Sequence, residues 1–480
     1  MEPLTIFTWG LILACLLPLL PKLLATLSSL VTHLPRSPGQ SPTLPSPSLL
    51  FEEKLPFISV HIATYDEPAD LVIETLRSFL HLDYPRDRYE VILLDNNTPD
   101  PTVWRPVQKW CAAQDSRFHF YHYDDVQGAK AGALNLALHH TSEKATLIAS
   151  VDADYRVDPD FLRSGAAVFS DSTLTHAQFP QCYRNRSERN SGIAAELHQY
   201  FTTYATQAGR SGKMLLTGTL SLIRREALIR AGGWPTTTIT EDAELGVKLL
   251  EQGGRGIYLD QVAGKGLMPG DLSALSVQRT RWAAGNVQVL RDHLQQILRG
   301  QSDSALTPSA VLQLSAWPSL VLLLAAPFFT LLLMDRSPTG LTLFATALNL
   351  GIILEITVAS ITAAGSFRER VEAGLVRLAL LPESVLGTLN GLFATQLRFV
   401  RTPKGSSAER SGNGLALCVV LAALIYLFTQ AIPHGLPVTS ALALLASIPF
   451  LRLWLDHSLR EAPFDGSAEA SLPLPLPKAY

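Results

Sequence analysis

One stretch of the chain reads Ala145-Thr146-Leu147-Ile148-Ala149-Ser150-Val151-Asp152-Ala153-Asp154. Its apolar part is short and runs into two carboxylates, which predicts a buried strand that stops at a polar site. Three more short runs have this strand-like character: Phe57–Thr64, Tyr89–Leu94 and Phe118–Tyr123. The segments between the runs have a helical pattern: Ala69–Leu80, Thr102–Ala113 and Ala129–His139. Alternating strands and helices predict an α/β domain with a mostly parallel sheet.

Polar residues follow these predicted strands directly. Thr64 and Tyr65 end the first, Asp95 follows the second, and Asp152 and Asp154 follow the fourth. In open parallel sheets, ligands bind beyond the carboxyl ends of the strands. We therefore expect the functional site at this edge of the sheet.

The composition of the 480-residue chain points to a membrane protein. Hydrophobic residues make up 47% and charged residues only 17%, against about 25% charged in soluble domains. The net charge of -3 gives no sign of a nucleic-acid partner. The cysteines are isolated in sequence, which favours reduced packing residues over disulfides or a metal site: Cys15, Cys111, Cys182 and Cys418.

Long apolar runs lie on both sides of a soluble central region. We expect one membrane helix within residues 1–32, a Pro/Ser-rich linker at 33–55, and a catalytic domain at 56–300. We expect a membrane region at 301–456 and a tail at 457–480. The later runs predict about four membrane helices: Leu312–Met334, Leu341–Ala364, Leu415–Ala431 and Pro437–Leu453.

Residues 367–400 interrupt this pattern because Arg377, Pro382 and Glu383 fall within them, so we expect an interfacial segment there. The basic loop residues lie on one predicted side of the membrane: Arg368, Arg370, Arg401, Lys404 and Arg410. Cytoplasmic loops are enriched in Lys and Arg. The catalytic domain is therefore expected in the cytosol, at the plasma (inner) membrane.

Asp152 and Asp154 are candidate metal ligands. Two carboxylates two residues apart at a strand end can both face a divalent cation that also binds a diphosphate. Oxygen ligands of this kind suit Mg2+ or Mn2+. A solvated acidic turn is the alternative, and the preceding apolar strand makes the two interpretations about equal.

Two later motifs have both a structural and a catalytic interpretation. Thr240-Glu241-Asp242 fits a helix N-cap with acids in the first turn, or a general base, Asp242, at the cleft. Gln278, Arg281 and Trp282 fit an interfacial helix, or a site where Arg281 binds a diphosphate and Trp282 packs on a sugar ring.

Together and in this order, these motifs resemble the family 2 glycosyltransferases, specifically the cellulose-synthase-like membrane enzymes. The resemblance extends from Ile58 to Trp282 and to Phe399–Lys404, so it covers most of the chain. It implies a GT-A-like catalytic domain inserted in an α-helical membrane region. It also implies a nucleotide-sugar donor, a Mg2+ or Mn2+ ion, and inverting transfer with Asp242 as the catalytic base.

The resemblance also assigns the other site residues. It implies donor binding by eight residues: Thr64, Tyr65, Glu67, Asp95, Lys130, Asp152, Gln278 and Arg281. It implies acceptor binding by Trp282, Gly218, Thr219 and Glu241, and metal binding by Asp152 and Asp154. Asn96 and Asn97 depart from the family pattern, in which an acid or Gly-Ser follows the acid at Asp95.

Two products remain open for such an enzyme. One is a β-linked polysaccharide made from a UDP-hexose and exported through the membrane helices. The other is a glycolipid, formed on diacylglycerol or a polyprenyl phosphate that enters from the membrane lipid. A non-catalytic scaffold or transporter is a third interpretation, which the carboxylates at every catalytic position argue against.

Overall fold

The computed structural model describes residues 55–300, 306–321, 365–394, 397 and 448–460. The predicted membrane runs 5–31, 341–364 and 415–431 lie outside these residues, as do most of 312–334 and 437–453. The loop at 399–404, most of the linker and most of the tail also lie outside them. A helix with both the length and the apolar character for crossing a bilayer is not found within the described ranges.

The centre of the described structure is a seven-stranded sheet of order β3-β2-β1-β4-β7-β6-β8. Strands β3, β2, β1 and β4 run parallel to one another. Strand β7 pairs with the other edge of β4 in the antiparallel direction. A separate two-stranded ribbon pairs β5 with β9. The strands are β1 Phe57–Thr64, β2 Tyr89–Asn96, β3 Phe118–Tyr123, β4 Ala145–Ser150, β5 Arg156–Val157, β6 Leu174–Gln178, β7 Ser221–Arg224, β8 Arg255–Tyr258 and β9 Gly264–Lys265.

Helices connect and cover these strands. The described α-helices are α1 Ala69–Ser78, α2 Pro101–Ala112, α3 Ala129–His140, α4 Phe161–Ala167, α5 Ser191–Tyr200, α6 Thr206–Arg210, α7 Arg225–Arg230, α8 Glu241–Glu251, α9 Leu272–Leu298, α10 Pro308–Leu314, α11 Phe367–Ala379, α12 Leu381–Phe393 and α13 Ile448–Arg460. A π-helical turn, Phe201–Ala205, joins α5 to α6. The predicted mostly parallel α/β sheet is therefore confirmed.

Central strands are buried on both faces because helices cover both. In β1, Ile58, Val60 and Ile62 are fully buried, and the packed core they belong to includes Leu76 of α1. On another part of the sheet, Ile148 of β4 packs with Leu245 of α8. Double coverage of this kind is typical of parallel sheets. It leaves the carboxyl ends of the strands as the place for polar chemistry.

The predicted interfacial segment contains two helices, α11 and α12. α12 lies along α9 without room for side chains between them, since a Cβ on Gly387 would fall 2.7 Å from the Thr280 carbonyl oxygen. Glu383, which interrupts the apolar pattern, is buried and accepts hydrogen bonds from Arg452 of α13 at 2.7 and 2.8 Å. Leu389 and Phe393 of α12 remain exposed. The contact of this segment with a membrane surface stays a prediction.

Candidate active site

A cleft of about 410 Å³ opens at the carboxyl ends of β1, β2 and β4. Most of the residues selected from the sequence line it: Thr64, Tyr65, Glu67, Lys130, Asp152, Asp154, Gly218, Glu241, Asp242, Gln278, Arg281 and Trp282. Thr219 and Asp95 do not line it. Because these residues come from segments more than 200 positions apart, the fold itself brings them together.

Asp152 and Asp154 are fixed at the end of β4 by backbone contacts. The Asp152 N–H donates to Thr219 Oγ1 at 3.0 Å, so Thr219 supports the cleft from below. Asp154 is buried and its Oδ2 accepts from the Leu267 N–H at 3.1 Å. Both carboxylates nevertheless border the same cleft. These hydrogen bonds hold the segment that follows β4 in place, with two anionic side chains at the opening of the cleft.

Lys130 reaches the same point from α3. Its Nζ donates to Asp152 Oδ1 at 2.5 Å and to the Gly218 carbonyl oxygen at 2.8 Å, and lies 3.8 Å from Glu241 Oε1. Burial alone would lower the pKa of Lys130, but Asp152 and Glu241 outweigh it and raise the pKa above its usual value. The ammonium group is thus held charged beside the acids of the cleft.

Asp242 stands at the first turn of α8. Thr240 occupies the N-cap position and acids fill the first turn, as the structural interpretation expected, but the Thr240 side chain makes no capping hydrogen bond. Burial and the nearby Glu241 raise the pKa of Asp242 to about 7, although its side chain still borders the cleft. Gly218 lies against it, since a Cβ there would fall 2.8 Å from Asp242 Oδ2. A carboxyl group with this pKa can accept a proton near neutral pH.

The residues Gln278, Arg281 and Trp282 share one face of α9, as expected for a spacing of three and four. All three line the cleft. Arg281 Nη1 donates to the Ile239 carbonyl oxygen at 3.5 Å, and Gln278 Oε1 is buried with no hydrogen-bond partner among the described residues. A buried amide oxygen without a partner can accept a hydrogen bond from a donor group on a ligand.

Asp95 lies beneath the cleft with its carboxylate already engaged. Its Oδ2 accepts from Thr64 Oγ1 at 3.0 Å and from Thr98 Oγ1 at 2.8 Å, and its Oδ1 lies 2.8 Å from His122 Nδ1. The residue is only 3% exposed. Asn96 and Asn97, which follow it, do line the cleft. Direct binding of a nucleotide base by Asp95 therefore stays a prediction. Thr64, which donates a hydrogen bond to Asp95, lies between it and the cleft.

The described residues contain no group of three or more His, Cys, Asp and Glu side chains placed to hold a metal. Asp152 and Asp154 supply two carboxylates, and these hard oxygen donors fit Mg2+ or Mn2+ when further oxygens come from a bound diphosphate. The protein alone would hold such an ion weakly. Metal binding by Asp152 and Asp154 therefore stays a prediction.

Sequence reasoning missed two aromatic residues beside Asp242. Tyr200 of α5 and Trp317, which follows α10, line a smaller cavity that also includes Asp242 and Trp282. Trp317 lies within the apolar run 312–334, which was interpreted as a membrane helix, so hydropathy concealed it. The spacing of aromatic residues along the chain carries no signal for this cluster.

Known proteins match the region that contains these residues. The family model described as Glycosyl transferase family 2 matches residues 59–232, and Glycosyl transferase family group 2 matches residues 147–358. Glucomannan 4-beta-mannosyltransferase 7 of Arabidopsis thaliana is 29% identical over 52% of this chain and 46% of its own length. Beta-monoglucosyldiacylglycerol synthase of Trichormus variabilis is 30% identical over 52% of each chain.

A third relative is the UDP-forming cellulose synthase 1 catalytic subunit of Komagataeibacter xylinus, 28% identical over 53% of this chain and 34% of its own length. The chain spans about half the length of the first curated relatives it matches. Among solved structures, the mannosyltransferase PcManGT from Pyrobaculum calidifontis, in complex with GDP-Man and Mn2+, gives a TM-score of 0.48 at 21% identity. That match covers 81% of this chain and 99% of PcManGT.

Proposed function

Because the chain belongs to the family 2 glycosyltransferases, among their cellulose-synthase-like members, we propose that it transfers a sugar from a nucleotide-sugar donor to an acceptor hydroxyl with inversion. One observation carries this proposal. A carboxyl group whose pKa is raised to about 7, that of Asp242, borders the same cleft as Asp152, Asp154 and Lys130. This arrangement supports a proton acceptor beside a group of residues that bind the donor diphosphate.

The donor lies with its diphosphate near the end of β4. Lys130 and Arg281 supply fixed positive charge to the diphosphate. Thr64, Tyr65 and Glu67 contact the nucleoside, and Asp95 supports it from behind Thr64. Asp152 and Asp154 would hold a Mg2+ or Mn2+ ion, which supplies charge that offsets that of the leaving diphosphate. A UDP-hexose is the proposed donor.

The acceptor hydroxyl approaches from the side of Asp242 and Trp282. Asp242 accepts the hydroxyl proton as the oxygen attacks the anomeric carbon, and the bond to the diphosphate breaks on the opposite face. An α-linked donor therefore gives a β-linked product. Glu241 and Gly218 line this side of the cleft, and Thr219 supports it through the Asp152 N–H.

Two acceptors fit this chemistry. Extension of a β-linked polysaccharide, with export, is the first candidate, and the relatives include two enzymes named for glucomannan and cellulose. Formation of a glycolipid is the second, and it is favoured by the exposed apolar residues Leu386, Leu389 and Phe393 on α12. In both cases we infer that the enzyme is anchored in the plasma (inner) membrane with its catalytic domain in the cytosol.

The test is to incubate the purified full-length protein with UDP-glucose, UDP-galactose, UDP-N-acetylglucosamine or GDP-mannose, with Mg2+ or Mn2+, with and without lipid. Nucleotide release by the wild type with one of these donors supports transfer, and a β-linked product from it supports inversion. Insoluble high-mass product identifies a polysaccharide, and a lipid-extractable product identifies a glycolipid. Absence of release with all four donors, or retained configuration in the product, would overturn the proposal.

A further inference from the structure

His122 lies near the carboxyl end of β3, beside Asp95 of β2, and no motif of the donor site includes it. The two residues are direct neighbours in the register of the parallel strands. His122 Nδ1 lies 2.8 Å from Asp95 Oδ1, and its Nε2 lies 2.9 Å from Asp124 Oδ1. Both nitrogens of the imidazole ring thus contact carboxylate oxygens.

An aromatic side chain from α2 fixes the plane of this imidazole. The rings of Trp104 and His122 are stacked, with centroids 4.2 Å apart and planes 16° apart, and such stacking favours one ring orientation. A carboxylate oxygen can only accept a hydrogen bond, so the contact with Asp95 requires the proton on Nδ1. His122 therefore directs one fixed N–H group at Asp95.

Asp95 is the centre of a hydrogen-bond network behind the cleft. Besides the contact with His122, its Oδ2 accepts from Thr64 Oγ1 at 3.0 Å and from Thr98 Oγ1 at 2.8 Å. Thr98 Oγ1 in turn accepts from the Asp66 N–H at 2.8 Å. The carboxylate therefore holds both Thr64 and, through Thr98, the backbone at Asp66.

This network decides which kind of hydrogen bond Thr64 offers to a ligand. Thr64 lines the large cleft, and a hydroxyl group has one proton to donate and two lone pairs to accept. Because the Thr64 proton is donated to Asp95, its oxygen can only accept a hydrogen bond from the cleft. If Asp95 rotated away, the hydroxyl group could turn and donate instead, and this preference would be lost.

The orientation of Asp95 depends on His122. Thr64 and Thr98 both donate to Oδ2, whereas the donor to Oδ1 among the described residues is His122. A buried carboxylate oxygen without a partner is unfavourable. Loss of the imidazole would therefore favour rotation of the Asp95 carboxylate, which releases Thr64.

We propose that His122 is a positioning residue for the donor nucleotide. It holds Asp95 so that Thr64 presents an acceptor oxygen to an N–H or O–H group of the nucleoside, either the uracil imide or a ribose hydroxyl. The proposal rests on the proposed function, because it assigns how the nucleoside part of the donor is recognised. His122 acts through Asp95 and does not itself touch the donor.

The test measures nucleotide binding to the full-length protein by isothermal titration calorimetry in the presence of Mg2+. Three probes are compared: UDP, CDP, whose ring N3 carries no proton, and 2′-deoxy-UDP, which lacks one ribose hydroxyl. We expect the wild type to bind UDP about 5- to 10-fold more tightly than one of the two analogues, and the weaker analogue identifies the group that Thr64 recognises.

His122→Phe keeps an aromatic ring against Trp104 but removes the N–H group that is directed at Asp95. Its affinity for UDP should fall about 5- to 10-fold, and its preference for UDP over the weaker analogue should shrink to less than about twofold. Turnover separates positioning from general damage, because His122→Phe should raise the donor KM while kcat stays within about twofold of the wild type.

Two further variants serve as controls. The amide of an asparagine can place an N–H group near the position of the imidazole Nδ1, so His122→Asn should keep the preference for UDP. His119 lies on the same strand, 3.9 Å from a carboxylate oxygen of Glu90 on β2, and His119→Phe should leave all three affinities unchanged.

An unchanged UDP affinity in His122→Phe, equal weakening of all three nucleotides, or the same change in His119→Phe would overturn the proposal, as would a wild type that does not bind UDP. UDP binding that depends on His122, in a protein that releases nucleotide from no sugar donor, supports the positioning role and contradicts the proposed transferase. Turnover of a UDP-sugar with the same UDP affinity in the wild type and His122→Phe does the reverse.

Discussion

Lys130 Nζ lies 2.5 Å from Asp152 Oδ1, and this contact joins helix α3 to the carboxyl end of strand β4. The same ammonium group donates to the Gly218 carbonyl oxygen, in the segment that lies against Asp242. One cation therefore connects the proposed metal-binding motif with the proposed base. Its charge partly offsets the acids around it before a diphosphate or metal ion arrives.

We expect Lys130→Met to lower kcat/KM for the donor by about 10- to 100-fold, the range for loss of a hydrogen bond from a charged group. The loss arises because Asp152 and Glu241 then lack their compensating charge and the diphosphate lacks a donor. Initial rates of nucleotide release check it. Lys144→Met, at an exposed position, is the control, and a Lys130→Met enzyme as active as that control would contradict the prediction.

The activity should depend on pH through Asp242. Because burial and Glu241 raise the pKa of this carboxyl group to about 7, the proton-accepting form predominates only above that pH. We expect kcat/KM to rise as the pH increases from 5.5 to 8 and to level off above it. Asp242→Asn should lose about 10²- to 10⁴-fold in turnover, while Asp87→Asn, at an exposed site, should keep the wild-type profile. A flat profile in the wild type would exclude Asp242 as the base.

Gly218→Ala should damage the site more than the fold. Gly218 has φ +85°, and a Cβ there would fall 2.8 Å from Asp242 Oδ2 and 3.6 Å from Lys130 Nζ. Gly253 has nearly the same φ, +80°, with no atom within 4 Å of its would-be Cβ. Both alanine variants carry the cost of a left-handed residue, about 1–2 kcal/mol.

Only Gly218→Ala should also lose activity, by displacing Asp242. Thermal unfolding and nucleotide release, measured on both variants, separate the two effects. Equal activities in Gly218→Ala and Gly253→Ala would show that the closeness of Gly218 to Asp242 has no catalytic consequence.

The local sequence pattern predicted the strands but not the hydrogen bonds of the site side chains. The bounds of β1 and β3 were predicted to the residue because each is a short stretch rich in β-branched or aromatic residues. The engagement of Asp95 was not predictable, since it depends on Thr64 and His122 from neighbouring strands. Such contacts between distant segments leave no local signal.

Hydropathy was also an ambiguous guide near the membrane region. It placed Trp317 in a membrane helix, whereas Trp317 packs on Tyr200 beside Asp242. It treated Glu383 as an interfacial charge, whereas Glu383 forms a buried ion pair with Arg452. In both cases hydropathy does not indicate whether lipid or protein surrounds the residue.

The packing of α12 on α9 should affect the site through Gln278, Arg281 and Trp282. We expect Gly387→Leu to lower both the thermal unfolding midpoint and the activity, because a Cβ at Gly387 would already fall 2.6 Å from that of Ala283. Overpacking of this kind typically costs about 1–3 kcal/mol. Gly270→Ala is the control, with no atom within 4 Å of its would-be Cβ. An unfolding midpoint in Gly387→Leu equal to that of the control would contradict the close packing.

The last prediction concerns His293, a buried residue of α9 that links α8 to α9. Its Nε2 lies 3.0 Å from Glu244 Oε2 and its Nδ1 lies 3.0 Å from Glu251 Oε1, while Lys248 Nζ lies 3.5 Å from the other oxygen of Glu244. Burial alone would lower the pKa of His293, but the two glutamates outweigh it and raise the pKa to about 9. In the unfolded chain the pKa is about 6.5.

Because the folded pKa is the higher one, the stabilisation from His293 is fully present below about pH 6.5 and is lost as the pH rises to about 9. The wild type should therefore lose stability between pH 7 and pH 9, and His293→Gln should lose less over the same interval. Thermal unfolding midpoints measured from pH 6 to pH 10 on both proteins check this. The pKa of Asp242 is raised from 3.8 to about 7. Its titration therefore affects the stability mainly below pH 7 and does not account for a loss of stability between pH 7 and pH 9. Parallel curves for the two proteins would show that His293 is not a charged link between the helices.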